Sequence, residues 1–179
     1  MSKITLIACI DKVGNLGYKN ELLFQIKEDM QRFKEYTTGN IVVAGLPTFN
    51  SIISMTGRPL SDRTNVVLTR NQSYVPQFNE FVFHDVESIL KGIKTMNSVD
   101  KEVFIIGGGI TYKTFLPFAD QVILTVVDTV AEKSDAKYPL ELQNQLNFKI
   151  EHYEKHFSEK YNCEYSFRTY VKQNDPYLG

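Results

Sequence analysis

Short apolar runs rich in β-branched residues recur along the chain and alternate with amphipathic segments. Such runs are typical of buried strands, and they occur at Ile4–Ile10, Ile41–Ala44, Asn65–Thr69, Phe81–His84, Val103–Ile106 and Gln121–Val127. Apolar positions three and four residues apart predict helices between them, at Gln25–Tyr36, Thr48–Ile53, Val86–Met96 and Ile110–Leu116. Strands that alternate with helices indicate an α/β protein, with a mostly parallel sheet and helices on both faces.

The last third of the chain has a different pattern. Phe148–His156 and Glu164–Lys172 alternate apolar and polar residues around the polar turn Ser158–Asn162. A period of two residues predicts strands with one solvated face, so we expect an antiparallel hairpin at one edge of the sheet. We expect residues 1–179 to form a single domain whose tail, residues 173–179, frays.

Composition and charge exclude several classes of protein. The 179 residues are 42% hydrophobic and 23% charged, as in folded globular proteins rather than disordered or fibrous ones. Twenty Lys and Arg against 21 Asp and Glu give a net charge of -1, which offers no case for nucleic acid or an anionic membrane as partner. No apolar run has the length of a membrane span or the pattern of a secretory signal, so the expected location is the cytoplasm.

The cysteines and histidines predict no metal site. Cys9 and Cys163 are the only cysteines, too few for a disulfide framework, and we expect both to be reduced and Cys9 to lie in the core. His152 and His156 share a predicted strand, but their spacing fits no zinc pattern. We therefore expect no bound metal.

Asp29 falls on the apolar face of the first predicted helix. The core stripe of that helix consists of Ile26, Met30, Phe33 and Thr37. Asp29 lies at i+3 within this stripe, so its carboxylate is turned toward apolar surroundings. Two interpretations stay open. Asp29 either pairs with a neighbouring polar group, or it is a desolvated acid in a ligand pocket that binds a protonated nitrogen or supplies a proton.

A glycine triplet, Gly107-Gly108-Gly109, joins the predicted strand Val103–Ile106 directly to a helix. Glycines let a ligand approach the backbone, and the N-terminus of the helix offers unpaired N–H groups to a phosphate. The dinucleotide fingerprint G-x-G-x-x-G fails because Tyr112 occupies its last position. A tight turn that requires a positive φ is the structural alternative.

Two arginines are further candidates for binding an anion. Thr69 and Arg70 leave the carboxyl end of a predicted strand, where ligands of open α/β sheets bind. Arg63 follows the turn Pro59–Asp62 and has the planar fork that binds a carboxylate through two hydrogen bonds. For each arginine, a solvated surface position is the alternative.

Taken together and in this order, these pieces resemble the dihydrofolate reductase family over nearly the whole chain. The segments that carry the resemblance are Ile4–Cys9, Gly17–Phe24, the helix with Asp29 and Phe33, Gly45–Ile52, Gly57–Leu60 with Arg63, Asn65–Arg70, Ile106–Tyr112 and Leu124-Thr125. The resemblance implies an eight-stranded sheet flanked by four helices. It also implies an enzyme that uses NADPH to reduce 7,8-dihydrofolate at its C6–N5 bond.

The resemblance assigns roles on the substrate side. Asp29 would bind the amide and amino groups of the pterin ring, with Thr125 linked to it, and would help to protonate N5. Leu22 is implied beside the reacting centre, and Arg63 would hold the α-carboxylate of the glutamate tail. The walls of the pocket would be Ile7, Phe33, Ile52, Leu60, Ile106 and Tyr112.

The resemblance likewise assigns a cofactor site, for NADPH rather than NADH. Its residues would be Cys9, Leu16, Gly17, Asn20, Gly45, Leu46, Pro47, Thr48, Leu68, Thr69, Arg70, Gly107, Gly108, Gly109, Ile110, Thr111 and Tyr112. The Gly107–Gly108 peptide would be cis, and Asn15–Phe24 would be a mobile loop that closes over nicotinamide and substrate. The implied partners are dihydrofolate and antifolate inhibitors such as methotrexate, and a monomer is expected.

Three departures from the family pattern affect these roles. Leu46-Pro47 follows the second strand where a basic residue is common, so Arg70 would carry more of the recognition of the cofactor 2′-phosphate. Leu23-Phe24 replaces the usual Pro-Trp, and the chain has no Trp whose indole could anchor a water. A short insertion, Ile53–Thr56, lengthens the segment before the next turn.

Two alternatives stay open. A pyrimidine reductase of riboflavin synthesis has the same fold and shares the glycine triplet, although Asp29 and Arg63 together favour folate. A folate- or nucleotide-binding structural protein without turnover is the other alternative, and it would retain binding but not oxidise NADPH.

Overall fold

An eight-stranded sheet forms the centre of the protein, seen here in a computed structural model that describes residues 2–96 and 100–174. Its strands, in spatial order, are β10 (Phe148–Ser158), β11 (Cys163–Lys172), β8 (Gln121–Val127), β1 (Ile4–Asp11), β7 (Val103–Gly107), β4 (Ile41–Gly45), β5 (Thr64–Leu68) and β6 (Phe81–Phe83). The five neighbouring pairs from β8 to β6 are parallel, and β11 is antiparallel to both of its neighbours. The predicted parallel sheet with a C-terminal hairpin is therefore confirmed.

The α-helices of the described chain are α1 (Lys27–Thr37), α2 (Leu46–Thr56), α3 (Val86–Met96), α4 (Gly109–Phe115) and α5 (Leu140–Gln145), and a short 3-10 helix (Leu116–Phe118) follows α4. The first four correspond to the predicted helices. The short α5 was not predicted, because six residues give too little apolar periodicity to recognise. Residues 53–56, interpreted as an insertion, form the last turn of α2, which ends at Gly57 in a left-handed conformation with φ of 76°. The extra residues therefore extend a helix.

A second, three-stranded sheet corrects the prediction that Asn15–Phe24 is a loop. Its strands are β3 (Glu21–Leu22), β2 (Asn15–Tyr18) and β9 (Ala136–Lys137). Lys19 and Asn20 join β2 to β3 with φ of 49° and 61°, as in the tight turn of a two-residue hairpin. Strands of two to four residues are too short to be found from their hydrophobic pattern.

The two faces of the main sheet carry separate parts of the core. Leu6, Val43 and Ile105 point to one face, where they pack with Phe115 of α4 and Ile89 of α3. Residues that alternate with them along the strands point to the other face, where α1 and α2 pack; these are Ile7, Val42, Ala44, Val67 and Phe104. Helices on both faces are thus confirmed.

One position of the predicted core stripe of α1 is wrong. Ile26 and Thr37 are buried and Phe33 is half-buried, but the side chain of Met30 is 53% exposed. Met30 is thereby left at the outer side of α1, next to the face that carries Asp29.

Two further features concern the helices and the C-terminal tail. No helix in residues 2–96 and 100–174 is long and apolar enough to cross a membrane. In the tail that we expect to fray, Gln173 donates its backbone N–H to the carbonyl of Asn147 at 3.1 Å. Residues 175–179 of that tail lie outside the described residues.

Candidate active site

Asp29 lies in the first turn of α1 and reaches the sheet. The hydroxyl of Thr125 on β8 donates a hydrogen bond to Oδ1 of Asp29. Cys9 on β1 is the register partner of Thr125. Its side chain is half-buried and packs against the cluster that contains Phe24 and Ile26. Cys9 therefore lies at the rim of the core rather than inside it. The first turn of α1 and two neighbouring parallel strands therefore meet at one carboxylate.

Burial raises the pKa of Asp29 above its ordinary value. The hydrogen bond from Thr125, the charge of Arg32 and a hydrogen bond with the thiol of Cys9 oppose this rise without cancelling it. Burial and the nearby Asp29 charge also raise the pKa of Cys9, so its thiol is protonated at neutral pH and can donate. Asp29 thus holds a proton at a higher pH than an exposed carboxyl does, which favours the interpretation as a desolvated acid.

The apolar wall of the predicted pocket beside Asp29 lies on the α1 side of the sheet. Its described members, Ile7, Phe33, Leu60 and Ile106, belong to one hydrophobic cluster with residues of β4, β7 and β8. Ile52, also predicted to line this pocket, lies half-buried on α2 and is not part of that cluster. Four of the five apolar side chains predicted to line the pocket therefore lie in one cluster.

Tyr112 has a structural position behind the pocket. Its side chain is 4% exposed, and its hydroxyl donates to the carbonyl of Ile7 at 2.7 Å. Burial raises the pKa of Tyr112 far above its ordinary value, so the hydroxyl stays protonated and holds the backbone of β1 in place.

Arg63 is attached to the far end of α1. Its Nε donates to Oγ1 of Thr37 at 3.1 Å and its Nη1 donates to the carbonyl of Ser61 at 2.7 Å. No carboxylate within residues 2–96 and 100–174 forms an ion pair with it. Eight helical residues separate Asp29 from Thr37, which is a rise of about 12 Å. The arrangement suits an elongated ligand with a polar head at Asp29 and a carboxylate near Arg63.

Two helix N-termini meet beside this pocket. α2 begins directly after β4 and α4 begins after β7, and these strands are parallel neighbours, so both N-termini lie at the same edge of the sheet. A Cβ on Gly45 would lie 2.6 Å from Oγ1 of Thr111, and one on Gly108 would lie 3.4 Å from Oγ1 of Thr48. Neither N-terminus has a side-chain cap. Backbone N–H groups of both first turns are thus presented together, which is the donor set that a diphosphate needs.

The glycine triplet has structural reasons of its own. Gly107 has φ of 121°, and the Gly107–Gly108 peptide is cis, as the family resemblance implies. A Cβ on Gly109 would lie 2.5 Å from the carbonyl oxygen of Lys137 on β9. The positive φ and this close contact account for two of the three glycines without any ligand, so the structural alternative is part of the explanation.

The remaining cofactor candidates differ in accessibility. Arg70 is exposed directly after β5, and Thr69 before it is buried, with its Oγ1 accepting the N–H of Asn71 at 3.1 Å. Ile110 is 81% exposed at the start of α4. The side chains of Leu46 and Leu68 are half-buried and pack against the core, and Pro47 is exposed. The carboxyl ends of β7, β4 and β5 therefore form one continuous edge of the sheet, on which these candidates lie.

The β2–β3 hairpin is held against the rest of the site. The carbonyl of Gly17 accepts hydrogen bonds from the backbone N–H of Asp135 and the hydroxyl of Ser134, both at 3.0 Å. The carbonyl of Asn20 accepts the hydroxyl of Ser51 on α2 at 3.1 Å. The hairpin thus reaches across to the N-terminal half of α2.

Two hairpin residues that the resemblance places in the site, Leu16 and Leu22, differ in burial. Leu16 is buried in the main core, so its side chain contacts other core residues. Leu22 is 58% exposed on β3, and no contact among the described residues joins it to Asp29. Proximity of Leu22 to the reacting centre therefore stays a prediction.

Asp11 is a site residue that the sequence analysis missed. Its carboxylate is fully buried at the end of β1 and accepts the backbone N–H groups of Val13, Asn15 and Ala131 and the side-chain amide of Asn15, at 2.6 to 3.0 Å. It joins the base of the hairpin to the segment after β8. The signal that could have found it is an Asp followed by Gly14 and Asn15 just after an apolar strand.

We expect Asp11→Asn to destabilise the protein by about 2 kcal/mol at pH 7, because the amide nitrogen that replaces one carboxylate oxygen accepts no hydrogen bond and the remaining bonds lose the negative charge of their acceptor. Burial alone would raise the pKa of Asp11, but the hydrogen bonds lower it below its ordinary value. Its stabilisation is therefore present above the unfolded-state pKa and is lost as the pH falls through the folded-state pKa. Urea unfolding at neutral pH and near pH 3 measures both effects.

Asp128→Asn is the matched control for Asp11. This exposed acid lies in the same region, with its carboxylate 3.9 Å from Nζ of Lys12, so its loss is expected to change stability by less than about 0.5 kcal/mol. Equal effects of the two substitutions at pH 7 would contradict the anchoring role of Asp11.

The two histidines of β10 share one carboxylate. His152 and His156 both contact Glu154, and the ring of His156 stacks on Tyr165. Within the described ranges, no group of three His, Cys, Asp or Glu side chains is placed to hold a metal ion.

Comparison with known proteins shows which family this chain resembles in sequence. A family model described as dihydrofolate reductase matches residues 3–172. The chain is 31% identical over 177 residues to the dihydrofolate reductase of Bacillus subtilis, which covers 98% of each chain. It is 30% identical over 155 residues to that of Haemophilus influenzae, covering 86% of this chain and 90% of that protein.

A solved structure shows the same likeness. The dihydrofolate reductase of Enterococcus faecalis, complexed with NADP(H) and RAB-propyl, superposes with a TM-score of 0.82 at 25% sequence identity. The match covers 96% of this chain and 97% of that one. Sequence and architecture therefore agree along almost the whole length.

Proposed function

Because the chain belongs to the dihydrofolate reductase family, we infer the roles of its site residues from the geometry described above. The chain is an enzyme that reduces 7,8-dihydrofolate to tetrahydrofolate with NADPH. Neither a structural protein without turnover nor a pyrimidine reductase is favoured by these relatives. The observation that carries the roles proposed below is the half-buried, desolvated carboxylate of Asp29, which accepts a hydrogen bond from Thr125 and lies on the same side of the sheet as an apolar cluster.

The cofactor site fits the group that the family uses. The N-termini of α2 and α4 have no side-chain caps and lie at the same edge of the sheet, so their backbone N–H groups are available to a diphosphate. Thr69 and Arg70 lie farther along the same edge, where they would bind the adenosine end. When bound, NADPH supplies the hydride that reduces C6 of the substrate.

On the substrate side, we propose that Asp29 orients the pterin ring and supports protonation of N5. Its two oxygens can accept the ring amide and amino hydrogens, while Thr125 fixes the carboxylate on β8. The apolar walls exclude water and so sustain the raised pKa of the acid. We also propose that the β2–β3 hairpin covers the reacting atoms and that Arg63 binds the α-carboxylate.

The direct test is the fall in NADPH absorbance when purified protein and dihydrofolate are mixed, repeated with methotrexate. We expect turnover that methotrexate abolishes. Binding of both ligands without NADPH oxidation would instead indicate the structural protein. Oxidation that methotrexate leaves unchanged would contradict a folate site at Asp29.

We expect Arg70→Ala to weaken the preference for NADPH over NADH by about tenfold. Leu46 supplies no charge beside the 2′-phosphate, so Arg70 carries a charge-assisted contact that NADH does not have. Steady-state KM values for both cofactors measure the effect, with KM for NADH as the internal control. An unchanged ratio would mean that Arg70 does not contact the 2′-phosphate.

The state of the protein in the cell is a further proposal. We propose a cytoplasmic monomer without nucleic-acid or membrane partners, supported by the balanced charge of the sequence. Sedimentation of the purified enzyme would measure the oligomeric state.

A further inference from the structure

Arg32 lies one helical turn after Asp29 and rests on the sheet. Its guanidinium carbon is 3.9 Å from the centre of the Phe167 ring on β11, and Phe167 is buried. Phe167 is the register partner of Thr125, which donates a hydrogen bond to Asp29. Register partners of an antiparallel pair point to the same face, with their Cβ atoms about 5 Å apart. The two side chains of α1 therefore meet adjacent positions of the sheet, Asp29 at Thr125 and Arg32 at Phe167.

Aromatic rings, rather than an acid, hold the guanidinium of Arg32. Besides the contact with Phe167, its Nη2 atom lies 3.5 Å from the hydroxyl of Tyr36, whose ring centre is 5.5 Å from the guanidinium carbon. In the part of the chain that the structure describes, residues 2–96 and 100–174, no carboxylate forms an ion pair with Arg32. Residues three apart on a helix are neighbours, so this charge lies beside Asp29 without a contacting acid of its own.

The other titratable groups near Asp29 are neutral or belong to a groove that is open to solvent. Burial raises the pKa of Cys9 on β1, of Tyr112 on α4 and of Tyr165 on β11, so all three are neutral near pH 7. Arg32 is half-buried, so water and salt screen its charge less than those of the exposed side chains in the groove. The groove side chains are Lys27, Glu28, Glu35 and Glu154, the last of which pairs with His156.

We propose that Arg32 is a positioning residue for the reaction, which acts through Asp29 and sets the range of pH in which the enzyme turns over. The inference rests on the role of Asp29 proposed above. Burial raises the pKa of Asp29, and the charge of Arg32 opposes that rise. Arg32 therefore keeps Asp29 ionised, and able to bind the amino group of the pterin ring, at a pH where burial alone would keep it protonated. The structural alternative is that Arg32 only covers the ring of Phe167.

The first measurement is an NMR titration of the whole protein, labelled with carbon-13 at its aspartate carboxyl groups. The signal that is missing from Asp29→Asn identifies Asp29. We expect Asp29 to lose its proton at a higher pH in Arg32→Gln than in the wild type, because the amide that replaces the guanidinium carries no charge. An unchanged titration of Asp29 would overturn the inference.

The second measurement is the single-turnover rate of NADPH oxidation near pH 6 and near pH 8, which leaves product release out of the measured rate. Arg32→Gln should raise the ratio of the rate near pH 8 to the rate near pH 6 by about threefold, because Asp29 then keeps its proton to a higher pH. Loss of a direct ion pair would change this ratio by about tenfold or more. A ratio equal to that of the wild type would count against Arg32.

Two variants separate the charge of Arg32 from its packing. Arg32→Lys keeps the positive charge and should titrate and turn over as the wild type does. Arg168→Gln is the matched control, because Arg168 also stacks on a ring, that of Tyr153 at 5.3 Å, but follows Phe167 on β11 and so points to the opposite face. It should change neither measurement. Equal effects of Arg32→Gln and Arg168→Gln, or of Arg32→Gln and Arg32→Lys, would overturn the inference.

The same variants separate this inference from the role of Asp29 on which it rests. If Asp29→Asn keeps the wild-type dependence of the rate on pH, the proposed role of Asp29 is refuted and the inference fails with it. If Asp29→Asn loses that dependence but Arg32→Gln resembles the wild type, only the role of Arg32 is refuted. Because Arg32 acts through Asp29, adding Arg32→Gln to Asp29→Asn should leave the ratio of the rates unchanged.

Discussion

Asp29→Asn is expected to reduce turnover at pH 7 by about 100- to 1,000-fold, the range of a lost general acid. The amide keeps the shape of the side chain but can neither hold a proton near neutral pH nor carry a negative charge. The deficit should shrink toward pH 5, because solvent then protonates the substrate directly. Rates of NADPH oxidation across pH 5 to 8 measure it, and a wild-type rate at pH 7 would remove Asp29 from the mechanism.

Glu28→Gln is the matched control for this substitution. Glu28 is the neighbouring acid in the same helical turn and is exposed, so its loss should leave turnover and its pH dependence unchanged. A similar loss of turnover in both variants would mean that the charge of α1, rather than the position of Asp29, matters.

The same Asp29→Asn variant should be more stable than the wild type at pH 7. Burial raises the folded-state pKa of Asp29 above the ordinary 3.8, so the folded protein binds this proton more tightly than the unfolded chain does. The ionised form is therefore destabilising, and the cost appears as the pH rises through the raised pKa. Thermal melts at pH 7 should show a higher Tm for the variant, and a lower Tm would indicate that loss of activity follows from misfolding.

Arg63→Ala is expected to weaken binding of dihydrofolate by about 30- to 100-fold with a smaller change in kcat. A guanidinium fixed by Thr37 and Ser61 offers a charge-assisted, forked contact to a carboxylate that lies far from the reacting atoms. Because that contact is the same in ground and transition states, KM should change more than kcat. Steady-state kinetics separate the two quantities.

Two controls make this result specific to the carboxylate. Pteroate, which has no glutamate tail, should bind Arg63→Ala and wild type equally well by fluorescence titration. Arg58→Ala removes an exposed arginine that precedes the same turn and should leave KM unchanged. If pteroate binding falls as much as folate binding, Arg63 acts by holding the end of α1 rather than by binding substrate.

The sequence alone was sufficient to predict the strands and helices that have a strong hydrophobic pattern of their own. The six predicted strands of the parallel sheet are apolar runs, most of them buried, and four helices have a clear period, so each is recognisable from its own residues. The position of Asp29 on the inner face of α1 follows from the same periodicity. The family resemblance extended these elements to the order and number of strands.

Weak local signals explain the elements and contacts that were not predicted. β2, β3, β9 and α5 have too few residues to show a period. Met30 occupies an apolar position in the helical repeat, but no strand or loop covers it, so it stays exposed. Neighbouring residues in the sequence do not reveal which parts of a helix the rest of the fold will cover.

The chemistry of the site was decided by contacts between distant positions. Asp29 meets Thr125 across 96 residues and Arg63 meets Thr37 across 26, while Asp11 reaches Ala131 across 120. The sequence determined which side chains are available and on which face of an element they lie. Only the tertiary structure decided their burial and hydrogen-bond partners, because desolvation and directional bonds depend on which segments the packed sheet brings together.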